Sequence, residues 1–286
     1  MNQAVSVTTR PYDPTHAPWL RVITVLYLCW ALIPLLIAVL FSFNAAPSIA
    51  RWEGFSLRWW VGNPRDQESL LFDPDLRSAL LHSLMLAFWT TIIVVPVATA
   101  FALGARGWRS RTARVALALM LVTLVLPRIA LADALYIAFI APLRRVPFGS
   151  LGWFGTRGQL AGLIMLMLPF ATIVVYVRLL MLDRQHEDSA ADLGAPPNDV
   201  VRRIILPQIA TAIGAATAVV FAGAMGEFVV VDVLRGTNNT RALAPVLFGS
   251  PDPRKSAVGT LLAVAGAIAC AAVVFAFRSA LRRPVR

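Results

Sequence analysis

Apolar residues in this chain form long runs joined by polar, arginine-rich connections. A helix needs about 20 mainly apolar residues to cross about 30 Å of hydrocarbon. Six runs read as such spans: 22–43, 78–104, 113–127, 159–177, 209–231 and 256–277. The first starts too late and runs too long for a cleaved signal peptide, and no small-residue cleavage site follows it. Residues 129–143 are also apolar, but Pro127 sets them off and Asp133 interrupts them. They read as a partial helix packed inside protein, the setting in which broken backbone is tolerated at membrane depth; a seventh span is the alternative. The pattern predicts an all-α membrane protein with six transmembrane helices. Residues 1–18 form a polar tail and 19–286 a single membrane domain.

Composition agrees. Hydrophobic residues make up 58% and charged residues 14% of 286, against about 25% charged in soluble domains. Mean hydropathy is +0.70. Soluble, disulfide-rich, collagen-like and disordered classes are excluded. The net charge of +11 comes from 26 Lys+Arg against 15 Asp+Glu. No contiguous basic face with interleaved aromatics occurs, so nucleic acid is not an expected partner. The arginines read as loop anchors at an anionic lipid surface. Residues 105–112 hold Arg106, Arg109 and Arg111 without an acid, and the C-terminus holds Arg278, Arg282, Arg283 and Arg286. The positive-inside rule places both on the cytoplasmic side. With six spans, the N-terminus and the connection between spans four and five share it. Arg144, Arg145 and Arg157 would then lie outside, against the trend. Cys29 and Cys270 sit in apolar runs and read as small hydrophobes.

The fifth span repeats small residues every four positions: Ala210, Gly214, Ala218, Ala222 and Gly226. Such a stripe lets helix backbones approach closely in lipid. A weaker stripe, Gly259, Ala263, Ala267 and Ala271, marks the sixth.

Residues 187–207 are too polar to lie in the membrane. Glu187 to Leu193 suits a short helix, and Gly194 supplies the positive φ that ends one. Pro196-Pro197 forces a turn and opens a second helix. There Val200, Val201, Ile204 and Ile205 make an apolar face and Arg202 and Arg203 a polar one. Pro207 starts the fifth span. The product is a rigid helix–turn–helix knob; an interfacial amphipathic helix without a partner is the plainer reading.

Glu187, Ala190, Gly194, Ile204, Leu206 and Pro207 resemble the EAA loop of ABC-importer permeases. That pattern is E-A-A, three residues, G, nine residues, I-x-L-P. Here Glu187-Asp188-Ser189-Ala190-Ala191-Asp192-Leu193-Gly194 is followed by nine residues and Ile204-Ile205-Leu206-Pro207. Trp52-Glu53-Gly54-Phe55-Ser56, His82-Ser83-Leu84 and Leu126-Pro127 look like the second permease subunit of spermidine/putrescine importers. Glu227-Phe228-Val229-Val230 with Asp232 and Arg235-Gly236 is similar to the end of the fifth span in polyamine-type permeases. Gly226-Glu227 is closer to the first-subunit pattern.

The resemblance implies a MetI-like permease bundle in a bacterial inner membrane, with 187–207 as coupling helix between spans four and five. It implies a cytoplasmic ABC ATPase dimer, met by Glu187 and Asp192. It also implies a second, homologous permease subunit and an extracytoplasmic solute-binding protein. ATP and Mg belong to the ATPase, and this chain needs no cofactor. Its nearest approach to a phosphate-binding loop, Gly249 to Lys255-Ser256, lacks the second glycine and the spacing.

No nucleophile motif appears, so no catalytic residue is assigned. His16, His82 and His186 are isolated and give no metal site. Asp133, Glu227 and Asp232, with Arg128, are ionisable groups in or near apolar spans, where such groups usually face an interior. Glu227, Asp232 and Asp133 make an acidic translocation path for a cationic solute, or Glu227 or Asp133 pairs structurally with Arg128. An autonomous secondary transporter or channel for a small cation also fits six spans, but leaves the knob without a purpose.

Overall fold

The computed structural model describes residues 18–46, 51–62, 72–107, 111–143 and 153–235, with Ala242 and short pieces of 264–278. Helix α1 is Pro18–Phe41, α2 Pro74–Gly107, α3 Arg111–Val125, α4 Arg128–Leu143 and α5 Gly158–Leu180. The short α6 is Gln185–Asp192. Then α7 (Pro197–Asp199), a π-helical stretch Val200–Ile205 and α8 (Leu206–Gly226) follow without a break. The 30 residues Pro197–Gly226 therefore form one apolar rod. A last short helix, α9, is Val229–Val233. No strand occurs among the described residues; Asn44 and Phe55 form an isolated bridge.

Among the described residues, four helices are long and apolar enough to cross a membrane: Val22–Phe41, Pro74–Arg106, Gly155–Leu180 and Pro197–Gly226. A bent pair makes up to five. Ala118–Val125 and Arg128–Ala138 meet at 111°. The break falls at Leu126-Pro127, because proline has no N–H to donate and disfavours helical backbone at the residue before it. The polar tail and most of the expected sixth span, 256–277, lie outside the described residues.

The core is the pairwise packing of α2, α5 and α8. Ala98, Ala102, Leu166, Val175, Leu179, Ile205, Ile209, Ala216 and Val220 fill one cluster. Leu76, Ala79, Leu86, Leu163, Ala224 and Met225 fill a second, nearer the start of α2. His82 near the start of α2 meets Gln159 at the start of α5. Arg106 at the end of α2 meets Leu182 and Glu187 just beyond α5. The two helices therefore run parallel, and the chain between them makes one net return along the bundle. That favours a bent single passage for 113–143 over two full spans.

Two expectations need correction. The fifth helix was expected to continue to Val231, but it stops at Gly226, and Glu227 is extended (φ −75°, ψ 122°). The cause is local: the Glu227 carboxylate accepts the Val230 N–H at 3.4 Å and starts α9 afresh. Helix α4 was expected to be packed inside protein. Leu131 and Ala132 are buried, but Ile129, Asp133, Tyr136 and Ile137 on the same helix are exposed.

The stripe on α8 is also not where this chain packs. Ala210, Gly214 and Gly226 are exposed, and Ala218 and Ala222 half-buried. The buried face is the neighbouring one, Ile209, Ala212, Ala215, Ala216 and Val220. The close approaches lie elsewhere. A Cβ on Gly162 of α5 would stand 2.6 Å from Leu234 and 2.6 Å from Val230, and one on Gly223 of α8 2.9 Å from Met167. After α1 the chain turns back around Asn44. Its side chain donates to the Arg51 carbonyl at 2.6 Å, while its backbone carbonyl accepts from Trp59 Nε1 at 2.6 Å.

Candidate functional site

The knob folds as its residues dictate. Asp183 accepts the Gln185 N–H at 3.0 Å and opens α6. At the far end Gly194 has φ +79°. Its N–H donates to the Ala191 carbonyl at 2.9 Å and the Ala195 N–H to the Ala190 carbonyl at 3.0 Å. These two bonds are the Schellman closure, which requires a left-handed residue at that point. A Cβ on Gly194 would meet nothing within 4 Å, so the demand for glycine is conformational, not steric. Extended Pro196 precedes Pro197 at the first helical turn. Val200, Val201 and Ile204 are half-buried and Ile205 is buried, with Arg202 and Arg203 exposed. That is the predicted division of faces. Leu206 is half-buried and Pro207 exposed at the head of α8.

No side chain of α6 is buried. Asp188, Ser189, Asp192 and Gly194 are exposed, and Leu193 at the tip is 87% exposed. Polar contacts hold the helix instead. Arg106, at the end of α2, forms an ion pair with Glu187. Its other terminal nitrogen donates to the Leu182 carbonyl at 3.2 Å. Arg184 donates to the Arg106 carbonyl at 3.5 Å. Arg178, buried on α5, donates to the Gln208 carbonyl of α8 at 3.3 Å. The arginine-bearing end of α2 and the knob thus occupy the same end of the bundle.

The acid position of the E-A-A pattern falls on Asp188 and not on Glu187. Three residues separate its last alanine from the glycine, so counting back from Gly194 puts Ala190 and Ser189 at the alanines and Asp188 at the acid. Glu187 stands one position earlier. The structure separates the two acids: Glu187 turns in to Arg106, and Asp188 is exposed.

The intramembrane acids are brought only partly together. Glu227 is 2% exposed. Its carboxylate faces the N-terminus of α9 and accepts from Arg128 at 3.0 Å. The Arg128 side chain itself is 59% exposed. Asp232, half-buried on α9, pairs with Arg235 at 3.5 Å. Asp133 is exposed on α4. Reading the sequence missed two bonds. Gln159, fully buried, accepts from or donates to His82 Nε2 at 2.8 Å according to the imidazole tautomer. Its amide donates to the Val231 carbonyl at 2.9 Å. A lone amide at the head of an apolar span was the available signal. Arg106 was read only as loop charge, and nothing local marks its partner. Among the described residues no three His, Cys, Asp or Glu side chains gather as a metal site.

A parallel α2–α5 pair and a bent α3–α4 passage thus carry a helical knob that runs into α8. Residues 93–286 match the family described as binding-protein-dependent transport system inner membrane component, and the chain belongs to it. It is a multi-pass inner-membrane transport subunit, and its partners by class are an ATPase, a solute-binding protein and a second permease. It is 28% identical to the putrescine transport system permease protein PotI of Escherichia coli over 255 residues, 86% of each chain. It is 29% identical to the spermidine/putrescine transport system permease protein PotC of Escherichia coli over 205 residues, 71% of this chain and 72% of that one. Its fold resembles a chain in the crystal structure of a bacterial ABC transporter that imports the acidic polysaccharide alginate, with TM-score 0.58, 16% identity, and coverage of 93% and 96%.

Proposed function

We propose that this chain is a permease subunit of an ATP-driven polyamine importer, carrying spermidine, putrescine or a related small cation inward. The observation that carries this reading is the match to PotI over 86% of each chain, supported by the match to PotC. The knob 187–207 is its coupling segment, with Glu187, Ala190, Asp192, Gly194, Ile204, Leu206 and Pro207 as the working residues. Its exposed tip suits a cleft in a separate ATPase. Because Pro197–Gly226 is one rod, a push on the knob tilts α8 directly. ATP and Mg are handled by the ATPase. A second, homologous permease packs on the outward stripe of α8, where Gly214 and Gly226 leave room for a backbone. Both termini lie in the cytoplasm.

Glu227, Asp232 and Asp133 serve the solute pathway. Glu227 is buried against a largely exposed Arg128, so a passing ammonium group can replace the guanidinium at the carboxylate. Glu227→Gln should lower polyamine uptake by about tenfold, a typical loss for one charged contact. Unchanged uptake at equal complex yield removes Glu227 from the path. The test of the whole reading is the ATPase rate of the co-purified complex in lipid, with binding protein and a polyamine panel. Stimulation by spermidine or putrescine, abolished by Gly194→Pro, is expected. Stimulation by another solute alone overturns the polyamine assignment. Transport with no ATPase subunit overturns the importer.

A further inference from the structure

We infer that Arg106 is a positioning residue for coupling, fastening the knob through Glu187 to the end of α2 so that α2 moves with it. This rests on the importer reading above. The knob reaches α5 and α8 through the chain itself, since α6 follows α5 closely and α7 runs on into α8. It has no such connection to α2, which lies 81 residues earlier at the contact. Yet α2 packs along both α5 and α8, so a bundle that tilts as a unit needs α2 engaged at the same end.

The contact has the features of a clasp. Helix α6 buries no side chain, so apolar packing does not fix it. The Arg106 side chain is 7% exposed and that of Glu187 25%. A guanidinium so far from water requires its partner. The Leu182 carbonyl takes its second nitrogen, and Arg184 returns a bond to the Arg106 backbone. Glu187 is therefore an internal tie of the permease. Asp188, exposed beside it at the acid position of the E-A-A register, is left to face the ATPase.

The test is charge exchange in the full complex, reconstituted in nanodiscs with the ATPase and binding protein. Arg106→Glu and Glu187→Arg are compared singly and together. The first readout is the ratio of solute-stimulated to unstimulated ATPase rate. Each single change should lower it by about fivefold or more, the scale of a coupling between sites, and the double exchange should restore most of it. A purely structural loss would lower both rates together and leave their ratio unmoved, while repair by inverting both charges assigns the effect to the pair itself. The second readout is made on the permease without the ATPase, in a Cys29→Ser, Cys270→Ser background. Spin labels go on Gly104→Cys, where an added Cβ meets nothing within 4 Å, and on exposed Ser189→Cys. A narrow distance distribution in the parent and the double exchange, broad in the singles, supports the clasp. Narrow distances in the singles, or a double exchange no better than either, overturn it. If a single exchange fails to assemble, Glu187→Gln with the same labels decides, broad for the clasp and narrow against it. A parent complex that ignores polyamines sinks the function assignment alone, because the distances still judge the clasp.

Discussion

Helices α1 and α5 are close in apolar character and opposite in surroundings. The apolar window of α1 has mean hydropathy 2.6 and none of it is buried; that of α5 has 2.4 and 44% is buried. Hydropathy therefore decides that each helix enters the bilayer and nothing about what it touches there. Lipid tails are as apolar as leucine, so burial against protein gains little from water avoidance. Close fit and hydrogen bonds decide instead. Helix α5 has both. Gly162 admits Val230 and Leu234, Gly223 across the way admits Met167, and Gln159 bonds to α2 and α9. Helix α1 presents Leu26, Tyr27, Trp30 and Leu36 outward, and its described contacts are aromatic ones at its end, such as Phe41 on Trp52 at 5.8 Å.

The contrast can be broken by substitution. The largest effect should come from Gly162→Val. Its branched side chain overlaps Val230 and Leu234, and overpacking of this kind costs about 1–3 kcal/mol. Thermal unfolding of the purified chain in nanodiscs should show a clearly lower Tm; a wild-type Tm would mean that the α5–α9 approach is not tight. Next comes Gln159→Leu, which removes two bonds at the head of α5. Interhelical hydrogen bonds in membranes are worth about 1 kcal/mol, so a smaller fall in Tm is expected. His82→Ala added to it should cost almost nothing further, and additive losses would show that the two side chains act separately. The smallest effect belongs to α1. Leu26→Ala or Leu36→Ala should change stability of the isolated chain by less than about 0.5 kcal/mol. A larger loss would place α1 against its own bundle.

Much of the site was legible because its causes are local. Gly194 ends α6 for a reason contained in one residue's backbone freedom. Pro197 opens the next helix and Pro127 bends the third passage for equally local reasons. The division of Val200, Val201 and Ile205 from Arg202 and Arg203 follows helical period alone. What stayed hidden is long in range. His82 and Gln159 are 77 residues apart and Arg106 and Glu187 81; Arg128 and Glu227, 99 apart, were legible only as one of two possible pairings for Arg128. Each pair joins two elements whose relative placement no local pattern records. The α8 stripe was legible as a surface of small residues, but not which partner it serves, because spacing marks a face without saying what lies opposite.

By itself, then, the sequence determined that this is a helical membrane protein, where its apolar runs begin and break, and how the knob turns. Those features depend on hydration of apolar surface and on backbone sterics, both readable residue by residue. The tertiary structure alone decided that α2 and α5 run parallel, that Glu187 faces α2 while Asp188 faces outward, and that Glu227 caps α9 beside Arg128. Such choices are set by which side chains arrive within about 3 Å of one another, a distance that exists only once the helices have packed.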